Sequence, residues 1–210
     1  MANNKIADDE VRGYISFQTV RLGRQTSNII FGSQGASPAE RISAACREDN
    51  TDALEEVLSE LQEAKKTNKE IADLFNSVTD PLGNYALHIC ALHGSYHAAD
   101  FLFDIEFFEC DPKTRVDKET PLHLVARYAS DKSRYNSVAD AVTMIKMMCE
   151  AGCDPRVTNK RGDTPARLPD QVPEEVRREL RQAEFILNEG LALQNDAESE
   201  DEGGSASDSD

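Results

Sequence analysis

Between residues 37 and 190 the apolar side chains recur at helical spacing, and polar breaks cut the pattern into short segments. Ala53, Leu54, Val57, Leu58 and Leu61 share one face of residues 52–65, which predicts a half-buried helix. Ahead of it, "SPAERISAACRED" offers Ser37 as an N-cap, Pro38 at the first helical position and Glu40 to close a capping box. Ile71, Leu74, Phe75 and Val78 suggest a short packed turn before a β-turn at residues 80–83. Near the other end, Val176, Leu180, Ala183 and Leu187 form one stripe on a helix expected over residues 173–188. Arg177, Arg178 and Arg181 face away from that stripe. The flanks lack this periodicity. Residues 1–35 hold two β-branched and aromatic patches, "GYISFQTV" and "SNIIFGS", and are expected to be a partly disordered arm. Residues 195–210, "NDAESEDEGGSASDSD", have no apolar side chain larger than alanine and are expected to be a disordered acidic tail. The folded domain is therefore expected over residues 36–194.

A phrase repeats inside that domain. "DPLGNYALHICALHG" (80–94) aligns with "RVDKETPLHLVARYA" (115–129), and more loosely with "NKRGDTPARLPD" (159–170). "ECDP" (109–112) and "AGCDP" (151–155) repeat as well, and His88 and His123 lie 35 residues apart. A T-P-L-H phrase near this period resembles the ankyrin repeat, a β-turn followed by two antiparallel helices. The resemblance covers roughly residues 37–190. It implies an all-α ankyrin-repeat solenoid of about four helix-turn-helix units with β-turn tips.

The resemblance assigns structural roles. Pro121 sits in the first turn of a short helix, where its missing N–H costs nothing, and Thr120 can cap that helix. His123 and its counterpart His88 are expected to hydrogen-bond within and between neighbouring turns. Tyr85 stands where Thr120 stands in the next copy, so one hydroxyl contact should be lost. Leu87 and Leu122 should point into the stack. Cys46, Ala91 and Ala126 should occupy a small-residue position where helices approach closely. Two departures stand out. "RYASDKSRYNSVAD" (127–140) spends about ten residues more than a standard repeat, and is expected to form an extended loop away from the tips. In the last copy Ala166 and Arg167 replace Leu-His and Pro169 shortens the helix, which suggests a capping unit.

Composition narrows the function. No apolar run approaches the roughly 18 residues of a membrane span, and the N-terminal residues do not resemble a secretory signal. Five cysteines, an odd number, fit reduced thiols inside a cell, in cytoplasm, nucleus or both. Net charge of −16 and a pI near 4.6 disfavour direct nucleic-acid binding and favour a basic protein partner. His93 and His97 lack a ligating neighbour at fixed geometry, and the cysteines, including Cys149 and Cys153, stand as small apolar residues. Met144, Met147 and Met148 are expected to be core. No enzyme motif, metal site or cofactor is expected.

What remains is protein binding by a monomer. The resemblance places partner-facing residues at the turn tips: Asp80, Leu82, Asn84, Asp117, Lys118, Lys160, Arg161 and Asp163. Glu200, Asp201 and Glu202 of the tail add charge. Ser199, Ser205 and Ser207 each have an acid three residues on, a pattern resembling acidophilic-kinase sites. The whole layout is similar to that of small fungal ankyrin chaperones that shield a ribosomal small-subunit protein. That implies an escort for a basic protein; the alternative is a regulatory or scaffolding subunit.

Overall fold

The computed structural model describes residues 35–199, apart from 170. Among these are eight α-helices, and no strand beyond one isolated bridge from Thr79 to Tyr85. The helices are α1 (Pro38–Glu48), α2 (Thr51–Glu63), α3 (Asn68–Ser77), α4 (Ala86–His93), α5 (Tyr96–Phe103), α6 (Pro121–Tyr128), α7 (Val138–Glu150) and α8 (Glu174–Ser199). A single 3₁₀ turn, Pro165–Arg167, precedes α8. The inner layer stacks α1 on α4, α4 on α6, and α6 on the 3₁₀ turn. α2, α5, α7 and α8 pack behind these in turn, giving four units of a solenoid.

The inner helices explain why the stack coheres. Residues 86–91 of α4 and 121–126 of α6 are all buried, because each helix has a neighbour above, below and behind. Leu87 and Leu122 are completely buried, as expected, and so are Cys46, Ala91 and Ala126 at the close approaches. Met144, Met147 and Met148 lie in the core on α7. Ser37 caps α1 through a complete capping box with Glu40.

Three segments differ from expectation. Residues 68–77 form a full helix, where the sequence suggested a short turn: Thr67 and Glu70 close a capping box that starts it. α8 runs to Ser199, past both the expected end at 188 and the expected start of the tail at 195. Leu, Ala, Gln and Glu dominate that stretch and favour helix despite Gly190.

The third difference is the 127–140 insertion, which is a compact clasp at the end of α4 opposite the tips. Asp131 organises it by accepting from the Ser133 N–H (2.9 Å), the Ser133 hydroxyl (2.6 Å) and Arg134 Nε (3.0 Å). Tyr135 is buried, and its hydroxyl donates to the Ala91 carbonyl at 2.5 Å. Arg134 donates to the Leu92 carbonyl at 2.7 Å and lies 4.3 Å from the centre of the Tyr128 ring. The insertion thus satisfies carbonyls that the end of a short helix leaves without partners.

Candidate protein-binding surface

Three turn tips line one edge of the stack, and two share one construction. In the first, Asp80 Oδ1 accepts from the N–H groups of Leu82 (2.8 Å) and Asn84 (2.9 Å), and Asp80 Oδ2 from the Asn84 amide (2.9 Å). Asn159 does the same work in the third, its Oδ1 accepting from Arg161 (2.9 Å) and Asp163 (3.1 Å). Gly83 and Gly162 supply the left-handed backbone (φ 83° and 84°) that these turns need. The second tip is one residue longer. Its ends join through Thr114 N–H to Glu119 O (2.9 Å) and Glu119 N–H to Thr114 Oγ1 (3.0 Å), and Lys118 takes the left-handed position (φ 56°). The Lys160 N–H donates to the Asp117 carbonyl at 2.8 Å, so the second and third tips are joined directly.

Histidines fasten the second and third tips to the repeats before them. His88 Nε2–H donates to the Glu119 carbonyl (2.8 Å), and His123 Nε2–H to the Asp163 carbonyl (3.0 Å). His123 Nδ1 then accepts from the Thr120 N–H (3.1 Å) and hydroxyl (2.8 Å). The neighbouring copies each lack one half of this pair. Where Tyr85 replaces threonine, His88 Nδ1 is buried without a partner; where Arg167 replaces histidine, the Thr164 hydroxyl is. Glu119 is buried in the same region and pairs with Arg127.

Burial holds both histidines neutral: it pushes His88 down to about 4 and lowers His123 as well, against the opposing effect of their carbonyl partners. The unfolded chain takes up a proton at His88 near pH 6.5 that the folded chain refuses until about pH 4. The corresponding stability is complete above about pH 6.5, erodes as pH falls, and is gone below about 4. His88 alone should cost about 2 kcal/mol between pH 7 and 5. Denaturant midpoints at the two pH values check this, with His88→Gln, which keeps a donor for Glu119 but does not titrate, flattening the slope.

What the tips present outward differs from what the sequence suggested. Asp80 and Asn84 are spent on their own turn, and Asp163 pairs with Arg161 (3.2 Å). Leu82, by contrast, is 81% exposed, and Val116 of the adjacent tip is 65% exposed. Arg115, Asp117, Lys118, Lys160 and Arg161 are also exposed, so this edge carries more positive than negative side chains. Val116 and Arg115 escaped sequence reasoning because the second tip's extra residue shifts its register. Phe107 escaped it entirely. It is 64% exposed with φ 67°, and Asn76 grips the backbone on either side of it through Phe107 O (3.1 Å) and the Glu109 N–H (3.0 Å).

Negative charge gathers elsewhere. Asp52, Glu55, Glu56, Glu60 and Glu63 are all exposed on α2, where Arg41 reaches Glu60 at 2.6 Å and Glu56 at 3.6 Å. Glu200, Asp201, Glu202, Ser205 and Ser207 lie outside the described residues, as does the arm at 1–34, and Ser199 is the last residue of α8.

A cleft of about 280 Å³ lies between α5 and the start of α7, lined by His97, Arg134, Tyr135 and Thr143 among others. Most of its polar groups are already engaged. His97 contacts Asp49 at 2.9 Å, Asp49 also caps α5 at Ala98 (2.8 Å), and Arg134 belongs to the clasp. His93 stands apart at the end of α4. Among the described residues no three histidine, cysteine or acidic side chains cluster to hold a metal, and no helix is long and apolar enough to cross a membrane.

No protein-family model matches the chain. Among known proteins, an ankyrin repeat-containing protein of Saccharomyces cerevisiae is 35% identical over 137 residues, which is 65% of this chain and 71% of that one. Human Rabankyrin-5 is 31% identical over 91 residues, 43% of this chain but 8% of its own length.

Proposed function

The chain belongs to the ankyrin-repeat family, and from that premise we propose that this protein–protein interaction module escorts a basic protein. Charge carries the reading. Net charge is −16, the last sixteen residues hold seven acids and no base, and α2 presents five more acids on its exposed face. Such a field raises the encounter rate of a cationic partner and disfavours nucleic acid. The tips would hold one segment of the partner through Leu82 and Val116. The acidic tail would cover lysines and arginines that otherwise capture RNA. Ser199, Ser205 and Ser207, if phosphorylated, would deepen that charge. Catalysis has no part in this role.

One observation favours a second reading. Arg115, Lys118, Lys160 and Arg161 make the tip edge basic, which suits a regulatory or scaffolding subunit docking on an acidic surface.

Removing residues 200–210 separates the two, because the cut leaves α8 whole. Partners captured from cell extract and identified by mass spectrometry should be basic proteins released by salt. Truncation should weaken their binding about tenfold near 0.1 M salt and little near 0.5 M, where screening is strong. Capture of only neutral or acidic proteins, with no effect of truncation, selects the scaffold reading.

A further inference from the structure

Two pairs of cysteine thiols meet across neighbouring repeats, and only one pair is within reach of solvent. Cys46 of α1 and Cys90 of α4 are neighbours on packed helices, and both are completely buried. Cys110 and Cys153 occupy equivalent loops after α5 and α7, and each thiol donates to a backbone carbonyl at the other's loop. Cys153 is buried, whereas Cys110 is partly exposed.

The two loops are held in register by these bonds and one more. The Cys153 thiol lies 3.3 Å from the Cys110 carbonyl, the Cys110 thiol 3.5 Å from the Ala151 carbonyl, and the Asp154 N–H donates to Asp111 Oδ2 at 2.9 Å. Neither cysteine is inside a helix, so forming an S–S bond of about 2.05 Å asks for movement of loops and not of helices.

We propose that Cys110 and Cys153 are an oxidation site, forming a reversible disulfide between the second and third repeats when the chain meets a hydroperoxide. Cys110 is the attacking thiol and Cys153 the resolving one. The Cys110 sulfur, having released its proton, attacks one peroxide oxygen. The O–O bond breaks, and the other oxygen leaves with a proton as an alcohol, or as water from hydrogen peroxide. The Cys153 sulfur then attacks the Cys110 sulfenic acid. The S–O bond breaks and the hydroxyl departs with the Cys153 proton as water. Two thiols lose two electrons in all, and the peroxide gains them.

Access assigns the order of attack, because a peroxide reaches the partly exposed Cys110 and not the buried Cys153. The Cys153 thiol, by hydrogen bonding, holds Cys110 below the usual thiol range, although burial and Asp111 oppose this. Cys149, the other partly exposed cysteine, is pushed up to about 12 by burial and by the nearby acids Glu179, Asp111, Asp154 and Glu150. A thiol so rarely ionised reacts slowly.

The test treats the reduced full chain with hydrogen peroxide, alkylates the remaining thiols and maps the peptides. Free thiols should fall from five to three, and a Cys110–Cys153 cross-link should appear and vanish with dithiothreitol. In Cys153→Ser, Cys110 should stop at the sulfenic acid and be trapped by a dione reagent. Cys110→Ser, checked for helicity, should keep its remaining thiols. Five free thiols after peroxide, a cross-link through Cys149 or between Cys46 and Cys90, or Cys110 oxidised further without a cross-link would each overturn the proposal.

Discussion

Gly94→Ala destabilises the fold by about 3 kcal/mol or more, among the larger effects a single methyl can have. Gly94 ends α4 at φ 67°, a conformation that disfavours any side chain. A Cβ there would also sit 2.3 Å from the Arg134 carbonyl oxygen and 3.3 Å from its carbon. Both atoms are backbone, held by the hydrogen bonds of the clasp, so relief would require pulling Tyr135 and Arg134 off the end of α4. Gly152→Ala is the comparison. Its φ is 107°, but nothing lies within 4 Å of the added carbon. Thermal or urea unfolding of the two variants checks the account. Equal losses would mean that the clasp yields freely and does not brace α4.

His123→Ala costs about 4 kcal/mol, and more than His88→Ala. His123 satisfies three groups at once: the buried Thr120 N–H and hydroxyl, and the half-buried Asp163 carbonyl that anchors the third tip. Truncation strands both Thr120 groups, leaves the Asp163 carbonyl only the Asn159 N–H (2.9 Å), and opens a void beneath a helix with no exposed face. His88 serves only the Glu119 carbonyl, its other nitrogen having no partner, so fewer groups are stranded. Denaturant midpoints rank the two variants, and a larger loss at His88 would contradict the bridging role given to His123.

The tips and their histidines were legible in the sequence because the same residues recur and the bonds are short-range in the repeat frame. Tyr85 in place of threonine even signalled the lost contact at His88. The inner helices were not legible from periodicity. Residues 86–91 and 121–126 are apolar or small nearly all round, so no polar face marks a helix, and only the repeated phrase identified them. For α3 the capping box Thr67–Glu70 was present in the chain, but the short apolar run after it understated the helix.

The clasp lay out of reach for a different reason. Tyr135 finds its partner 44 residues earlier, at Ala91, and nothing local in a polar loop announces such a bond. Exposure at the candidate surface was equally hidden. Asp80 and Asn84 look like recognition residues by composition, yet their side chains close their own turn. Leu82, an apolar residue, is held out in solvent by that closure. The thiol contact of Cys110 and Cys153 depends on two loops meeting. The sequence showed only that each stands where a small residue belongs.

Binding of a captured partner to the Leu82→Ser, Val116→Ser double variant is the most direct test of recognition at the tips. Both side chains are already largely in water, so melting should not change. Affinity by titration calorimetry should fall at least about tenfold, the loss expected when apolar anchors are removed from an interface. Unchanged affinity in a variant that melts like the parent would contradict recognition at the tips and move the binding surface elsewhere on the stack.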